Sequence, residues 1–276
     1  MGRLLRGMDR FTRFFYDISS LTMLLQRCNV RWLSGSSNRR KVSSTSSFSF
    51  HAETIFLNMT REGLSISFNY RARMKSESSL LQNRIHHLQL LLGRKPSVAT
   101  YLRQVLLSPD PVPPLQELAS KFETMKTSSC YLIFCTPSEV LVMEKDLKSA
   151  IVRTSKEFLA VTNHDEDMEA WSHEYWQEML TKERFLEISG ARGIVEESVD
   201  RKECLCKLRQ LKGVDPVTVD DLKLWLRKHP IRNELTHFSC IMDPSVEGGG
   251  LVWVESCDLR KSRSFYKNDV YKYMAE

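Results

Sequence analysis

The segment that decides the fold is residues 130–165, CYLIFCTPSEVLVMEKDLKSAIVRTSKEFLAVTNHD. It holds four short apolar runs: Tyr131-Leu132-Ile133-Phe134, Val140-Leu141-Val142-Met143, Ala150-Ile151-Val152 and Phe158-Leu159-Ala160-Val161. The runs are rich in β-branched and aromatic residues and are separated by turn-forming or charged residues such as Thr136-Pro137-Ser138-Glu139. That pattern predicts successive antiparallel strands with tight connections. The last run delivers Asn163-His164-Asp165 to a strand end. An Asn that cannot titrate, set beside an ionisable pair at the end of a buried sheet, is suited to holding an oxyanion.

Outward from this segment, composition bounds the answer. The chain has 276 residues, 42% hydrophobic and 27% charged, the profile of a globular protein large enough for one large domain or two ordinary ones. No apolar run approaches the length of a bilayer span, so no transmembrane segment is expected. The net charge of +6 is concentrated in residues 1–50, where nine Lys/Arg face only Asp9 and Asp17. The remainder is close to neutral, and nothing in it predicts a nucleic-acid groove. The seven cysteines (28, 130, 135, 204, 206, 240 and 257) fit no zinc spacing, and Cys204-Leu205-Cys206 is one residue short of CxxC. Buried thiols are the expectation for them, with no disulfide framework and no metal site. No Gly-rich loop leads from a strand into a helix and no nucleophile elbow is present, so no nucleotide or other cofactor is expected.

The leader, residues 1–50, is Arg-rich and ends in a Ser tract. Its composition is similar to a mitochondrial presequence, with a disordered leader or a misjudged gene start as the competing readings. Gly63-Leu-Ser-Ile-Ser-Phe68 alternates as a half-buried strand closed by Asn69-Tyr70-Arg71. Helices are expected over 80–92, 97–107 with Ser97 as N-cap, and 115–125. His86 and His87 are adjacent and cannot share one helix face; they read as a surface and an edge residue, not as ligands. The acidic, aromatic residues 166–178 read as the charged face of a helix docked by Trp171 and Trp176. Further helices are expected over 200–211, stopped by Gly213, and over 218–229, opened by a Thr/Asp cap and ended by Pro230. Strands over 235–242 and 250–254 close the chain, and the tail 258–276 is expected to cross the surface. Helices in blocks between antiparallel strands predict a layered α+β fold, not a doubly wound parallel sheet.

Several blocks carry a resemblance. Leu91-Leu-Gly-Arg-Lys-Pro96 through Tyr101-Leu-Arg103, Cys130-Tyr-Leu-Ile133, Glu144-Lys-Asp146 and Thr162-Asn-His-Asp165, with Gly63–Asn69 and the closing hairpin, resemble the β-subunit of the acid ceramidase and N-acylethanolamine acid amidase family, its fungal branch most closely. The likeness covers roughly residues 54–257. It implies an N-terminal-nucleophile fold, two antiparallel sheets between helices (αββα), incomplete on its N-terminal side. It implies hydrolysis of the fatty-acyl amide of ceramide or an N-acylethanolamine by a Cys exposed through autocleavage, whose own α-amine acts as base. It places Asn163 on the family's oxyanion-hole Asn and Arg201, in Asp200-Arg201-Lys202, on an Arg lining the active site. A strand-end cap for Asn163 and a helix-surface charge for Arg201 are the competing readings.

The chain departs from the family in two places. Tyr70 stands where animal members carry Glu. The Cys-Thr-Ser start of the catalytic subunit is not found, and Cys28 lacks its context. The expectation is therefore an amidohydrolase-family protein without its catalytic Cys, with an acyl-amide lipid as substrate, contact with a membrane surface, and a missing α-subunit segment as partner. The alternative is a non-catalytic fragment of the same fold that binds acyl lipid or a protein. The family implies a lysosome or vacuole; the chain itself names no compartment.

Overall fold

Every residue of β3 (Cys130–Cys135) and β4 (Val140–Lys145) is buried. Strands buried on both faces need a packed layer above and another below. The computed structural model, which describes residues 57–71, 78–182, 192–233, 236, 238–248 and 250–257, supplies both. β1 (Leu57–Arg61), β2 (Leu64–Tyr70), β3, β4 and β5 (Ala150–Ser155) form one antiparallel sheet in sequence order.

Leu132 faces Met143, and Phe134 faces both Leu141 and Ile66. This face packs on α2 (Val98–Leu107) and α3 (Leu115–Thr124) through Leu102, Leu106, Leu118 and Phe122. The opposite face, carrying Tyr131, Ile133, Val140 and Val142, meets Cys240 and Met242 of a second, two-stranded sheet. That sheet pairs β6 (Phe238–Asp243) with β7 (Gly250–Ser256). Its far side, with Ile241 and Trp253, packs on Leu205 of α5 (Arg192–Lys212) and on Leu222, Trp225 and Leu226 of α6 (Val219–Arg227). The order of layers is helix, sheet, sheet, helix. The layered αββα architecture read from the sequence is the one present.

Local chemistry fixes the element ends. A two-residue turn at Glu62-Gly63 joins β1 to β2; Gly63 has φ +81°, and a Cβ there would meet Val112 at 3.0 Å. Only glycine holds that geometry without strain. Ser97 caps α2 by accepting from Thr100 N, and Thr218 and Asp221 form a capping box on α6. α1 (Leu80–Leu91) opens on a Ser79/Gln82 capping box.

Four sequence expectations need correction. Residues 158–161 form no strand. The run is extended and alternates, sending Leu159 and Val161 into the intersheet layer and Phe158 and Ala160 toward α5 and α6. Alternation reports an extended chain between two apolar layers; it does not supply a ladder partner. Second, His86 is buried, not a surface or edge residue. α1 turns its polar residues Asn83 and His86 inward and leaves Leu81, Ile85, Leu88 and Leu92 exposed. Burial pushes the His86 imidazole down to about 4, with His87 and Lys95 adding to the effect.

Third, the helix expected from residue 200 begins at Arg192, so Asp200 does not open it but lies inside it. Its buried stripe is Val195, Ser198, Arg201 and Leu205, half polar, which hid the helical period. Fourth, residues 166–178 are not one helix: a 3-10 turn over Glu166–Ala170 precedes α4 (His173–Lys182). The expected tryptophan docking is nonetheless there, with Trp176 Nε1 donating to Met168 O at 3.0 Å and its ring 5.3 Å from Trp171. The leader and the tail lie outside the described residues.

Candidate active site

Residues 162–165 follow the extended run into the end of the intersheet layer, and all four are buried. The backbone bends at Asn163 and His164, and the side chains go in different directions. Asn163 meets α5 and Tyr70 of β2, His164 meets α5, and Asp165 meets Arg71, just past β2, and Tyr131 of β3.

Asn163 is held from two sides. Its Nδ2 donates to Tyr70 O at 2.9 Å, and its Oδ1 accepts from Arg201 Nη2 at 3.0 Å. A guanidinium only donates and a carbonyl only accepts, so the amide can face only one way. One of the two Nδ2 hydrogens is spent on Tyr70. The second remains for another acceptor, and the cation on Oδ1 polarises the amide and strengthens that donor. Arg201 is itself buried, which lowers its pKa, while Glu197 and Asp200 act in the opposite direction. Glu197 lies 3.9 Å from Arg201 Nη1 and accepts from Asn233 Nδ2 at 2.7 Å.

His164 makes the second attachment to α5. Ser198 Oγ donates to Val195 O at 2.6 Å, so it accepts from His164 Nδ1, 2.7 Å away. Ser198 and Arg201 are one turn apart on one helix face, which lets them grip adjacent residues 163 and 164. Burial first and Lys202 second push the His164 imidazole down to about 4, against the pull of Glu169. A neutral histidine follows, serving as a hydrogen-bonded wedge.

Asp165 anchors the other direction. Arg71 grips it through Nε, at 2.6 Å, and through Nη2, and Tyr131 Oη donates to it at 2.8 Å. Arg71 also donates to Lys145 O at 3.2 Å. Burial works against the Arg71 charge, but the bonds to Asp165 prevail and its pKa rises. Tyr131, buried and beside a carboxylate, has its pKa raised well above the usual phenol value.

The structure thus brings Asn163 and Arg201 into direct contact. Sequence reading did not find Tyr70 O, Ser198 or Asn233 as supports. Ser198 was findable: it lies three residues before Arg201 and seven before Leu205, on one helical face. Burial pushes Cys130 and Cys240 up to about 12 and also raises Cys204, Cys206 and Cys257. Among the described residues no group of His, Cys, Asp and Glu is arranged to hold a metal ion.

With this geometry in view, the fold can be set beside known structures. The fold is similar to that of an acid amidase. A Caenorhabditis elegans N-acylethanolamine-hydrolyzing acid amidase ortholog matches with a TM-score of 0.52 and 17% sequence identity, over 78% of this chain and 86% of that one. No protein-family model and no curated protein matches the sequence. At that identity the likeness speaks for the fold, and the site must be argued from its own atoms.

Proposed function

We propose that this protein engages the fatty-acyl amide bond of ceramide or N-acylethanolamine lipids at Asn163, as an amidohydrolase-family protein whose described residues do not include the nucleophile. The observation that carries this is the fixed amide of Asn163, oriented by Tyr70 O and charged from behind by Arg201. Such a donor meets a carbonyl oxygen in the ground state and an oxyanion better. Hydrolysis then needs a thiol from a segment with an N-terminal Cys: it attacks the carbonyl carbon while its α-amine takes the proton, the C–N bond breaks as that proton passes to the departing amine, and water then cleaves the thioester to release the fatty acid. The raised thiols at 130, 204, 206, 240 and 257 favour binding without turnover by the described residues.

The same reading accounts for α1. From residue 78 to residue 109 there is no Asp or Glu, while Arg84, Arg94, Lys95 and Arg103 supply positive charge. Leu81 is 67% exposed and Leu91 66%. An apolar face with a basic surround suits the surface of an anionic membrane, where an acyl-amide lipid resides. No helix of the described residues is long and apolar enough to cross one.

The test is equilibrium binding of N-dodecanoylethanolamine to the purified chain, run beside a turnover assay. Binding without hydrolysis is expected, with Asn163→Ala weakening it about tenfold through one lost hydrogen bond. A wild-type chain that binds no acyl amide sinks the reading. Hydrolysis that disappears in Cys28→Ala would show the nucleophile to be Cys28.

A further inference from the structure

Asn69 is a residue near this site that the fold leaves unexplained. It lies on β2, one residue before Tyr70, whose carbonyl holds Asn163. In the ladder it stands opposite Tyr131, so it leaves the intersheet face together with the phenol that donates to Asp165. The two ends of the 163–165 segment therefore bracket it. Asn69 is only 1% exposed, yet among the described residues neither its Nδ2 nor its Oδ1 has a hydrogen-bond partner. Asn233, another buried amide, uses both ends, with Nδ2 on Glu197 and Oδ1 on Thr236.

The polar lining continues along the sheet. Ser67, two residues back on the same face, and Asn58, its partner on β1, also carry buried polar atoms without partners. A strand position facing an apolar layer is ordinarily filled by Val or Ile, and a buried polar group without a partner calls for an explanation. A carboxamide offers a donor and an acceptor side by side. The group that complements it is one that is also both, and a secondary amide is such a group. An ester is not, because it has no N–H.

We propose that Asn69 reads the amide bond itself: its Oδ1 accepts the N–H of the acyl amide whose carbonyl oxygen meets Asn163. The inference rests on the acyl-amide reading of the site and adds to it the chemical class that the site selects, amide over ester. Asn69 is then a specificity residue, and its removal equalises two ligands that differ in one atom.

The experiment compares N-dodecanoylethanolamine with its ester isostere, 2-hydroxyethyl dodecanoate, by competition binding to the full chain. Wild type should prefer the amide by at least about tenfold, the usual consequence of leaving a buried acceptor unmet. Asn69→Leu should bring the two affinities within about twofold while its melting temperature stays level or rises, since no internal hydrogen bond is lost. Asn69→Ala, which cannot overpack, goes through the same assay so that a misfolded leucine variant does not decide the matter. An unchanged amide preference in either folded variant overturns the inference and leaves the acyl-amide reading standing. A wild-type chain that binds amide and ester equally overturns it as well. If wild type binds neither, the reading of the site falls, and the inference with it.

Discussion

Asp165→Asn is the substitution whose effect the structure fixes most closely. The side chain hardly changes shape, but the carboxylate that neutralises Arg71 is gone. The Arg71 and Asp165 side chains are 6% and 2% exposed, so water does not screen the loss. Arg71 would keep one acceptor at most on residue 165, beside Lys145 O, with an NH2 group now facing its Nη2. Removing one partner of a buried pair costs about 3–5 kcal/mol, because the remaining charge stays in a dry interior. For a fold of 150–250 residues each kcal/mol moves Tm by about 2–4 °C, so a drop of roughly 6–20 °C is expected. The assay is thermal and urea unfolding of both proteins, with the shift read in the urea midpoint at an unchanged m-value. The control is the triple variant Arg71→Met, Asp165→Leu, Tyr131→Phe, which removes the whole cluster and its demand for hydrogen bonds. It should lie within about 2 kcal/mol of wild type, since apolar replacement of a buried ionic cluster is often neutral. An Asp165→Asn protein as stable as wild type would refute the reasoning, by showing that the Arg71 charge does not depend on this partner.

Other consequences are open to direct measurement. His164 and His86 both have folded pKa values near 4, below the usual 6.5, so the unfolded chain binds more protons between those values. Stability should therefore be full above about pH 6.5 and fall as pH drops toward 4; urea titrations across that window should show a shallower fall for His164→Gln, and an identical pH slope would dissociate His164 from it. Thr218→Ala removes the cap of α6 and should cost about 1 kcal/mol, read by urea unfolding. Leu81→Gln together with Leu88→Gln should abolish sedimentation with phosphatidylserine vesicles without lowering Tm, since both side chains are exposed; retained sedimentation would move the membrane contact away from α1.

What the sequence disclosed follows from which forces act locally. Periodicity and β-branching marked β3 and β4, and Ser97 and Thr218 marked helix starts, because caps and alternation depend on near neighbours. The run at 158–161 has the same alternation as a strand, yet its hydrogen-bond partners are set by chain segments far away. α1 could not be oriented from its pattern, because the helix buries Asn83 and His86 and exposes its leucines, against the ordinary direction of burial. The pairing of Asn163 with Arg201 joins residues 38 apart. It needed α5 to begin at Arg192, which the mixed stripe Val195, Ser198, Arg201, Leu205 concealed. Asn69 was legible only as the closing residue of a strand; its unmet amide is a property of the packed layer.

The intersheet layer divides into two ends with different chemistry. Ile133, Val142 and Met242 give one end the apolar packing that two sheets need. Asn69, Arg71, Tyr131, Asn163 and Asp165 load the other with amides and charges that stability alone would not select. On the proposed reading that polar end binds and polarises a carbonyl, and magnitudes limit what it does next. One fixed amide donor supplies about 2.7–4 kcal/mol of transition-state stabilisation. An enzyme's whole acceleration requires at least about 8 kcal/mol, and amide cleavage is a slow reaction without a catalyst. The remainder has to come from an activated nucleophile, whereas burial raises the thiol pKa of Cys130, Cys204, Cys206, Cys240 and Cys257. On the proposed acyl-amide reading the described residues act as an amide-recognition site, and supplying a thiol in trans, on a peptide with an N-terminal Cys, is the step expected to turn binding into turnover.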